Sequence, residues 1–137
     1  IGCMLMDKEA ISAASEIIHS DDFYGRQYGA MFEAIMELYN EGKPTDLVAV
    51  QEQLKTKDVP PESYSIAAFR ELLNMVPTSV NIRYYANLVY EKALLRRLIR
   101  INEEIANDCY MEKRRRKYHS GIYGKAYFWS SGNKSNK

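Results

Sequence analysis

The sequence lacks the features of a membrane protein and of a metalloprotein. No apolar run approaches the ~20 residues of a membrane-spanning helix, and no signal-peptide pattern is present. The two cysteines, Cys3 and Cys109, stand far apart on apolar stretches, which predicts two reduced, buried core thiols. The two histidines, His19 and His119, show no ligand-like spacing, so we expect no metal. Together these absences predict a cytosolic protein without a cofactor.

The motifs of common enzymes are also missing. There is no Gly-x-x-x-x-Gly-Lys-Ser/Thr phosphate loop, no Gly-x-Gly-x-x-Gly turn, no His-Glu-x-x-His and no nucleophile elbow. Glu103 and Glu104 are adjacent, and neighbours on a helix point in different directions. Asp21 and Asp22 are explained as helix-start chemistry. The sequence therefore predicts no catalytic activity.

Apolar residues recur every three or four positions, and period-two alternation is absent outside the last 25 residues. This pattern predicts an all-α fold, in which a small helical bundle head is followed by one long helix. Gly25 and Gly29 weaken the first turns of the second helix, and close packing of another segment is one explanation for them that the sequence itself does not show. Four helices are expected before the long one: from a cap at Asp7 to about Ile18, from Phe23 to a stop at Gly42, from a cap at Thr45 or Asp46 to about Leu54, and from Ser63 or Ser65 to Pro77. In the fourth, the residues expected to face inward are Ile66, Phe69, Leu72, Leu73 and Val76.

The long helix is predicted from about residue 79 to about residue 111, with Thr78 or Ser79 as its N-cap. Its apolar content exceeds one face, because Leu88, Leu95 and Ile99 lie beside the main stripe. A helix that is apolar around much of its circumference is covered on several sides, and a subunit contact explains this economically. The stripe, read as a single buried row, consists of Ile82, Ala86, Val89, Ala93, Leu94, Leu98, Ile101, Ile105 and Cys109.

The near-zero net charge hides two different compositions. Residues 1–112 carry 11 Lys and Arg against 18 Asp and Glu, whereas residues 113–137 carry 8 basic residues and no acidic one. The body is therefore no generic nucleic-acid binder. We predict that the segment 113–137 is poorly ordered or weakly packed. It is open to three interpretations: a single-stranded nucleic-acid binder, a mimic of a nuclear import signal, or a frame-shifted end or assembly scar.

A basic cluster on the long helix comprises Lys92, Arg96, Arg97 and Arg100. It is either a solvated helix face paired locally or a patch for an acidic partner surface. Together with three apolar residues of the same helix it forms the candidate protein interface, and these three are Leu98, Ile101 and Ile105.

Several segments within residues 1–112 together resemble the N-terminal domain of DnaB-type replicative DNA helicases. Their order and spacing carry the resemblance more than any single segment does. The segments are Ile1-Gly2-Cys3-Met4-Leu5-Met6-Asp7, Asp22-Phe23-Tyr24, Phe32-Glu33-Ala34-Ile35, Leu38-Tyr39, Pro44-Thr45-Asp46-Leu47-Val48-Ala49-Val50, Val76-Pro77-Thr78-Ser79-Val80-Asn81-Ile82, Tyr85-Ala86, Glu91-Lys92-Ala93 and Arg96-Arg97-Leu98-Ile99.

The resemblance implies a helical head followed by a helical hairpin, of which the long helix is the first half. In this family such domains pair, form the N-terminal collar of a hexameric helicase and dock bacterial primase. It therefore implies a homo-oligomer that binds primase, leaves a helicase loader as a further candidate partner, and places the protein in the cytoplasm at a bacterial or phage replisome. The alternative function is a small nucleic-acid-binding protein that works through residues 113–137.

The sequence departs from the family pattern in four places. Tyr28 stands where the family has His, and Pro60-Pro61-Glu62-Ser63-Tyr64 replaces a Gly-Gly helix start. Residues after 112 do not resemble the second hairpin helix, and the linker and ATPase domain are missing. The apolar run at Ile1 also indicates a truncated start. We therefore expect residues 82–95 to pack on the head, and residues 98–109 to lack their normal partner.

Overall fold

The computed structural model describes residues 1–115, and these residues form helices joined by short connections without a strand among them. The predicted all-α fold is confirmed. Two short 3₁₀ helices interrupt the order of the six α-helices. The elements are α1 (Gly2–Met6), α2 (Lys8–Ser15), a 3₁₀ helix (Ser20–Asp22), α3 (Arg26–Asn40), α4 (Leu47–Leu54), a second 3₁₀ helix (Pro61–Tyr64), α5 (Ile66–Met75) and α6 (Ile82–Arg115).

Side-chain caps determine where three of these helices begin. Asp7 accepts the backbone N–H of Glu9 at 3.0 Å and opens α2. Asp46 accepts the N–H of Ala49 at 2.9 Å, so Asp46 rather than Thr45 caps α4. Ser65, and not Ser63, caps α5. Each such cap stabilises its helix by about 1 kcal/mol.

Helix α3 begins three residues later than predicted. The carboxylate of Asp22 accepts the backbone N–H of His19 at 2.8 Å, and this bond closes the 3₁₀ turn instead of capping α3. A close approach explains one of the two glycines: at Gly29 a Cβ would lie 2.7 Å from the carbonyl oxygen of Ser20. The helix ends as predicted, because Gly42 adopts a φ of +69° that favours glycine.

The first of two compact units, Ile1–Leu95, contains the hydrophobic core. Helix α3 packs against α4, and α1 packs against α2 and α5. Of the five residues predicted to face inward from the fourth helix, only Phe69 is fully buried. Ile66 is 56% exposed, which corrects the prediction: it lies in the first turn of α5, about 60° around the helix from Phe69. The buried apolar residues of this core are Met4, Ile11, Ala14, Ile18, Met31, Phe32, Ala34, Ile35, Leu38, Val50, Leu54, Phe69 and Ala86.

The predicted N-cap residues of the long helix lie in the turn before it. The hydroxyl of Ser79 donates to the carboxylate of Asp7 at 3.1 Å, and the side chain of Thr78 accepts the N–H of Val80. Helix α6 then runs from Ile82 to Arg115, three residues past the boundary predicted after residue 112. The remainder of the predicted tail, residues 116–137, lies outside the described residues. The second compact unit begins at Arg96.

Candidate protein interface

Helix α6 covers the core with one row of apolar residues. Ile82, Ala86, Val89 and Ala93 follow one another at spacings of four, three and four residues. Ala86 is 2% exposed and Ala93 is 3% exposed, while Ile82 and Val89 pack against the core at its edge. The predicted packing of residues 82–95 on the head is therefore confirmed along this row.

The prediction of one continuous stripe along the helix is wrong. Leu94 follows Ala93 directly, and one residue of an α-helix turns the side chain by about 100°. Leu94 is 39% exposed beside the buried Ala93, so it starts a second row on another face. This second row continues through Leu98, Ile101, Ile105 and Cys109 at spacings of four, three, four and four residues.

The apolar residues of the second row are half-exposed in the isolated chain. Leu98 is 47%, Ile101 is 49% and Ile105 is 55% exposed, and all three belong to the second unit. Ile99 is 58% exposed as well, but it lies about 100° around the helix from Leu98, outside this row. Soluble monomers seldom expose a contiguous row of large aliphatic side chains, which makes this face of α6 the strongest candidate interface.

The predicted buried state of Cys109 is wrong, because this thiol is exposed at the end of the second row. Cys3 is buried as predicted, and its sulfur lies 3.7 Å from the carbonyl oxygen of Thr78. Burial raises the pKa of the Cys3 thiol. The two cysteines therefore differ in accessibility, and only Cys109 is open to reagents.

The four predicted basic residues divide between two rows of the helix. Lys92, in the first unit, and Arg96 and Arg100, in the second, follow at intervals of four residues and share a row. Arg97 lies next to the apolar row instead. Lys92 and Arg100 are exposed, and Arg96 and Arg97 are half-buried. The helix register thus places one of the four basic groups, Arg97, at the border of the apolar face.

Acidic residues follow this basic segment along α6. Glu103, Glu104, Asp108 and Glu112 give the next part of α6 the opposite sign. Glu104 lies seven residues after Arg97, two helical turns further on the same side of the helix. This change of charge along α6 is visible in the sequence, since the acidic residues begin three positions after Arg100.

A charged network in the head is structural. Lys57, whose side chain is 19% exposed, contacts the carboxylates of Glu37 and Glu33, and Gln53 donates to Glu37 at 2.6 Å. The hydrogen bond from Lys57 lowers the pKa of Glu37. Burial opposes the charge of Lys57, but the hydrogen bond and the charges of the two glutamates outweigh it and raise the pKa of Lys57. The network joins α3 to the last turn of α4, through Gln53, and to the loop that follows α4, through Lys57.

Neither a metal site nor a membrane span is found in the described part of the chain. Within residues 1–115, no three His, Cys, Asp or Glu side chains are grouped so that they could hold a metal ion. No helix in the same range is long and apolar enough to cross a bilayer. The fold and the half-exposed row define an all-helical domain whose main candidate functional feature is a surface for another protein.

Comparison with known proteins identifies the family. Residues 1–91 match the model of the DnaB-like helicase N terminal domain, and the chain belongs to this family. It is 39% identical over 110 residues to the replicative DNA helicase DnaC of Bacillus subtilis (strain 168), an alignment that covers 80% of this chain and 24% of that protein. The replicative DNA helicase DnaB of Geobacillus stearothermophilus is 38% identical over 110 residues, with the same two coverages.

A solved structure agrees with this assignment. The N-terminal domain of DnaB helicase from Mycobacterium tuberculosis superimposes with a TM-score of 0.77 at 34% sequence identity, covering 82% of this chain and 80% of that one. The chain spans about a quarter of the length of the curated relatives it matches. The matched family is the helicase N-terminal domain, which lacks the ATPase domain. The alternative of a nucleic-acid-binding protein is not favoured, since the family match lies outside residues 113–137.

Proposed function

We propose that this chain is an interaction domain that self-assembles and docks primase during bacterial or phage DNA replication. The half-exposed row of Leu98, Ile101 and Ile105 supports the self-assembly. Covering the exposed half of each side chain contributes about 1 kcal/mol, so two copies gain roughly 6 kcal/mol from these residues. Association itself costs at least about 4 kcal/mol. The balance favours a weak dimer, which Leu94 at the start of the same row would strengthen.

Primase docking is supported by family membership. The chain belongs to the DnaB-like helicase N terminal domain family, and its relatives are replicative DNA helicases. A helicase loader is a second candidate partner on the same grounds. We place the protein in the cytoplasm, where a replicative helicase meets DNA. Of the basic residues, exposed Lys92 and Arg100 are the candidates for contact with an acidic partner surface.

Light scattering coupled to size exclusion tests the self-assembly. We expect a dimer or higher oligomer at micromolar concentration, and dissociation in Leu98→Asp, because that change places a carboxylate inside the apolar face. Ile66→Asp is the matched control: Ile66 is similarly exposed but lies on α5 in the head. A wild-type chain that stays monomeric at several hundred micromolar would refute self-assembly.

Calorimetric titration of the chain with the C-terminal domain of a bacterial primase tests docking. We expect saturable binding that weakens in the double variant Lys92→Glu and Arg100→Glu and persists in Ile66→Asp. If the wild-type chain gives no heat of binding under conditions where it self-assembles, primase docking is removed from the proposal and self-assembly remains.

A further inference from the structure

A groove runs across the head beside the start of α3. Two cavities of about 390 Å³ and about 540 Å³ lie next to each other there, and three residues line both of them, namely Arg26, Asp58 and Val59. The guanidinium of Arg26, the first residue of α3, lies 3.1 Å from the carboxylate of Asp58 in the loop after α4. This ion pair therefore stands between the two cavities of one groove.

The interior of the groove is partly apolar. Phe23, Ala30 and Val59 line the first cavity, and all three pack against the hydrophobic core without being fully buried. Val59 and Pro60 continue this apolar surface into the second cavity. Both volumes lie in the range of ligand pockets. A helix about 10 Å across would fill the smaller cavity with roughly a single turn, so the groove suits an extended segment better than a helix.

The groove carries a negative charge on each side of the ion pair. Asp21 borders the first cavity and Glu62 borders the second, and both residues are exposed. Within residues 1–115, neither of these carboxylates takes part in an ion pair. The two basic side chains that line the groove, Arg26 and Lys57, are already held by carboxylates of the head. An incoming segment with basic residues is therefore attracted to both cavities.

We propose that this groove binds an extended segment of a partner protein in which basic residues flank apolar ones. The apolar side chains of the segment cover Val59 and Pro60, and its flanking Lys or Arg side chains approach Asp21 and Glu62. The groove belongs to the first unit and shares no residue with the candidate interface on α6. It is therefore a second docking site, and it can be tested independently of the proposed self-assembly.

The ion pair across the groove is weak enough to be replaced by the bound segment. Its side chains are almost fully in solvent, at 80% exposure for Arg26 and 93% for Asp58. Ion pairs with such exposure contribute little to stability. A basic residue of the segment can therefore take the place of Arg26 at Asp58, while the released guanidinium is solvated by water.

Peptide binding, followed by fluorescence anisotropy with the full chain, tests the proposal. The probes are fluorescein-labelled peptides about seven residues long, with uncharged termini, Lys at both ends and Leu, Val, Phe or Pro between them. We expect saturable binding of at least one basic-ended peptide, and no binding of the same peptide with Glu at both ends. If every basic-ended peptide binds more weakly than about 1 mM, the proposal is overturned.

Charge reversal locates the binding site. Asp21→Lys and Glu62→Lys should each raise the dissociation constant of a basic-ended peptide about fivefold, because each replaces an attraction by a repulsion. Glu71→Lys is the matched control: it makes the same charge change at an exposed position of α5 that does not line the groove, and it should have less than about a twofold effect. Equal weakening by all three variants would show a general attraction to the acidic head and overturn the docking site.

The substitution Arg26→Ala tests whether the segment passes the ion pair. It should tighten binding of the basic-ended peptide about threefold, because the peptide no longer competes with Arg26 for Asp58. Arg70→Ala, which removes an exposed arginine from α5, should change the affinity less than about twofold. An unchanged or weaker affinity in Arg26→Ala would overturn the path through both cavities. Leu98→Asp, which disrupts the proposed self-assembly, should bind the peptides as the wild-type chain does, so the failure of either proposal is seen separately.

Discussion

The substitution Phe69→Ala tests whether the core of the first unit is built as the structure shows. Phe69 is the largest side chain with no solvent exposure, and it belongs to the main core cluster. Removing a buried phenylalanine costs about 3–5 kcal/mol, from lost transfer free energy and the cavity left behind. The higher helix propensity of alanine returns about 0.5 kcal/mol. A unit of this size has a total stability of roughly 5–14 kcal/mol, so the loss is a large fraction of it.

Urea unfolding followed by far-UV circular dichroism measures this loss, with the midpoint compared at an unchanged slope. The matched control is Ile66→Ala on the same helix, which should cost less than about 1 kcal/mol because Ile66 is 56% exposed. The sequence pattern alone grouped both residues as inward. A loss below about 1 kcal/mol for Phe69→Ala, or equal losses for the two variants, would refute the packing described for α5.

Three further predictions concern the head. Asp46→Ala should lower the free energy of unfolding by about 1 kcal/mol, measured by urea unfolding, because the N–H of Ala49 loses its cap. Gly29→Ala should destabilise despite its better helix propensity, since the new methyl group would meet the carbonyl oxygen of Ser20 at 2.7 Å; a raised melting temperature would contradict this close approach. Lys57 lowers the pKa of Glu37, so this pair stabilises the fold above the ordinary glutamate pKa of 4.5, and its contribution is lost as the pH falls. Glu37→Gln should therefore make stability less dependent on pH in the acid range. Melting temperatures measured at a series of pH values test this.

Local signals in the sequence predicted the helices well. The cap at Asp46 and the stop at Gly42 depend on residues within a few positions of each other, and both are found. Contacts between distant segments could not be predicted in the same way. The close approach at Gly29 involves a backbone carbonyl nine residues earlier, and the ion pair of Lys57 with Glu37 joins residues that are 20 apart. Nothing in either segment alone specifies its partner.

The exposure of Ile66 and the start of α3 at Arg26 show a second limit. Periodicity identifies apolar positions on a helix but not how wide the buried face is. On α5 that face is narrow, so the first turn projects into solvent although its residue is apolar. At the start of α3, the sequence assigned Asp22 to helix-start chemistry, whereas its carboxylate closes the preceding 3₁₀ turn.

The two rows of α6 could have been separated from the sequence by following the helical angle. The first row, continued from Ala93 at the same spacings, meets Arg97, Arg100 and Glu104, which are charged. This side of the helix therefore stops contacting the hydrophobic core after Ala93. The second row starts at the next residue, Leu94. A helix that loses one apolar face and gains another at the same point has changed its packing partner there. The apolar residues after Ala93 are thus arranged for a surface other than the core of the head.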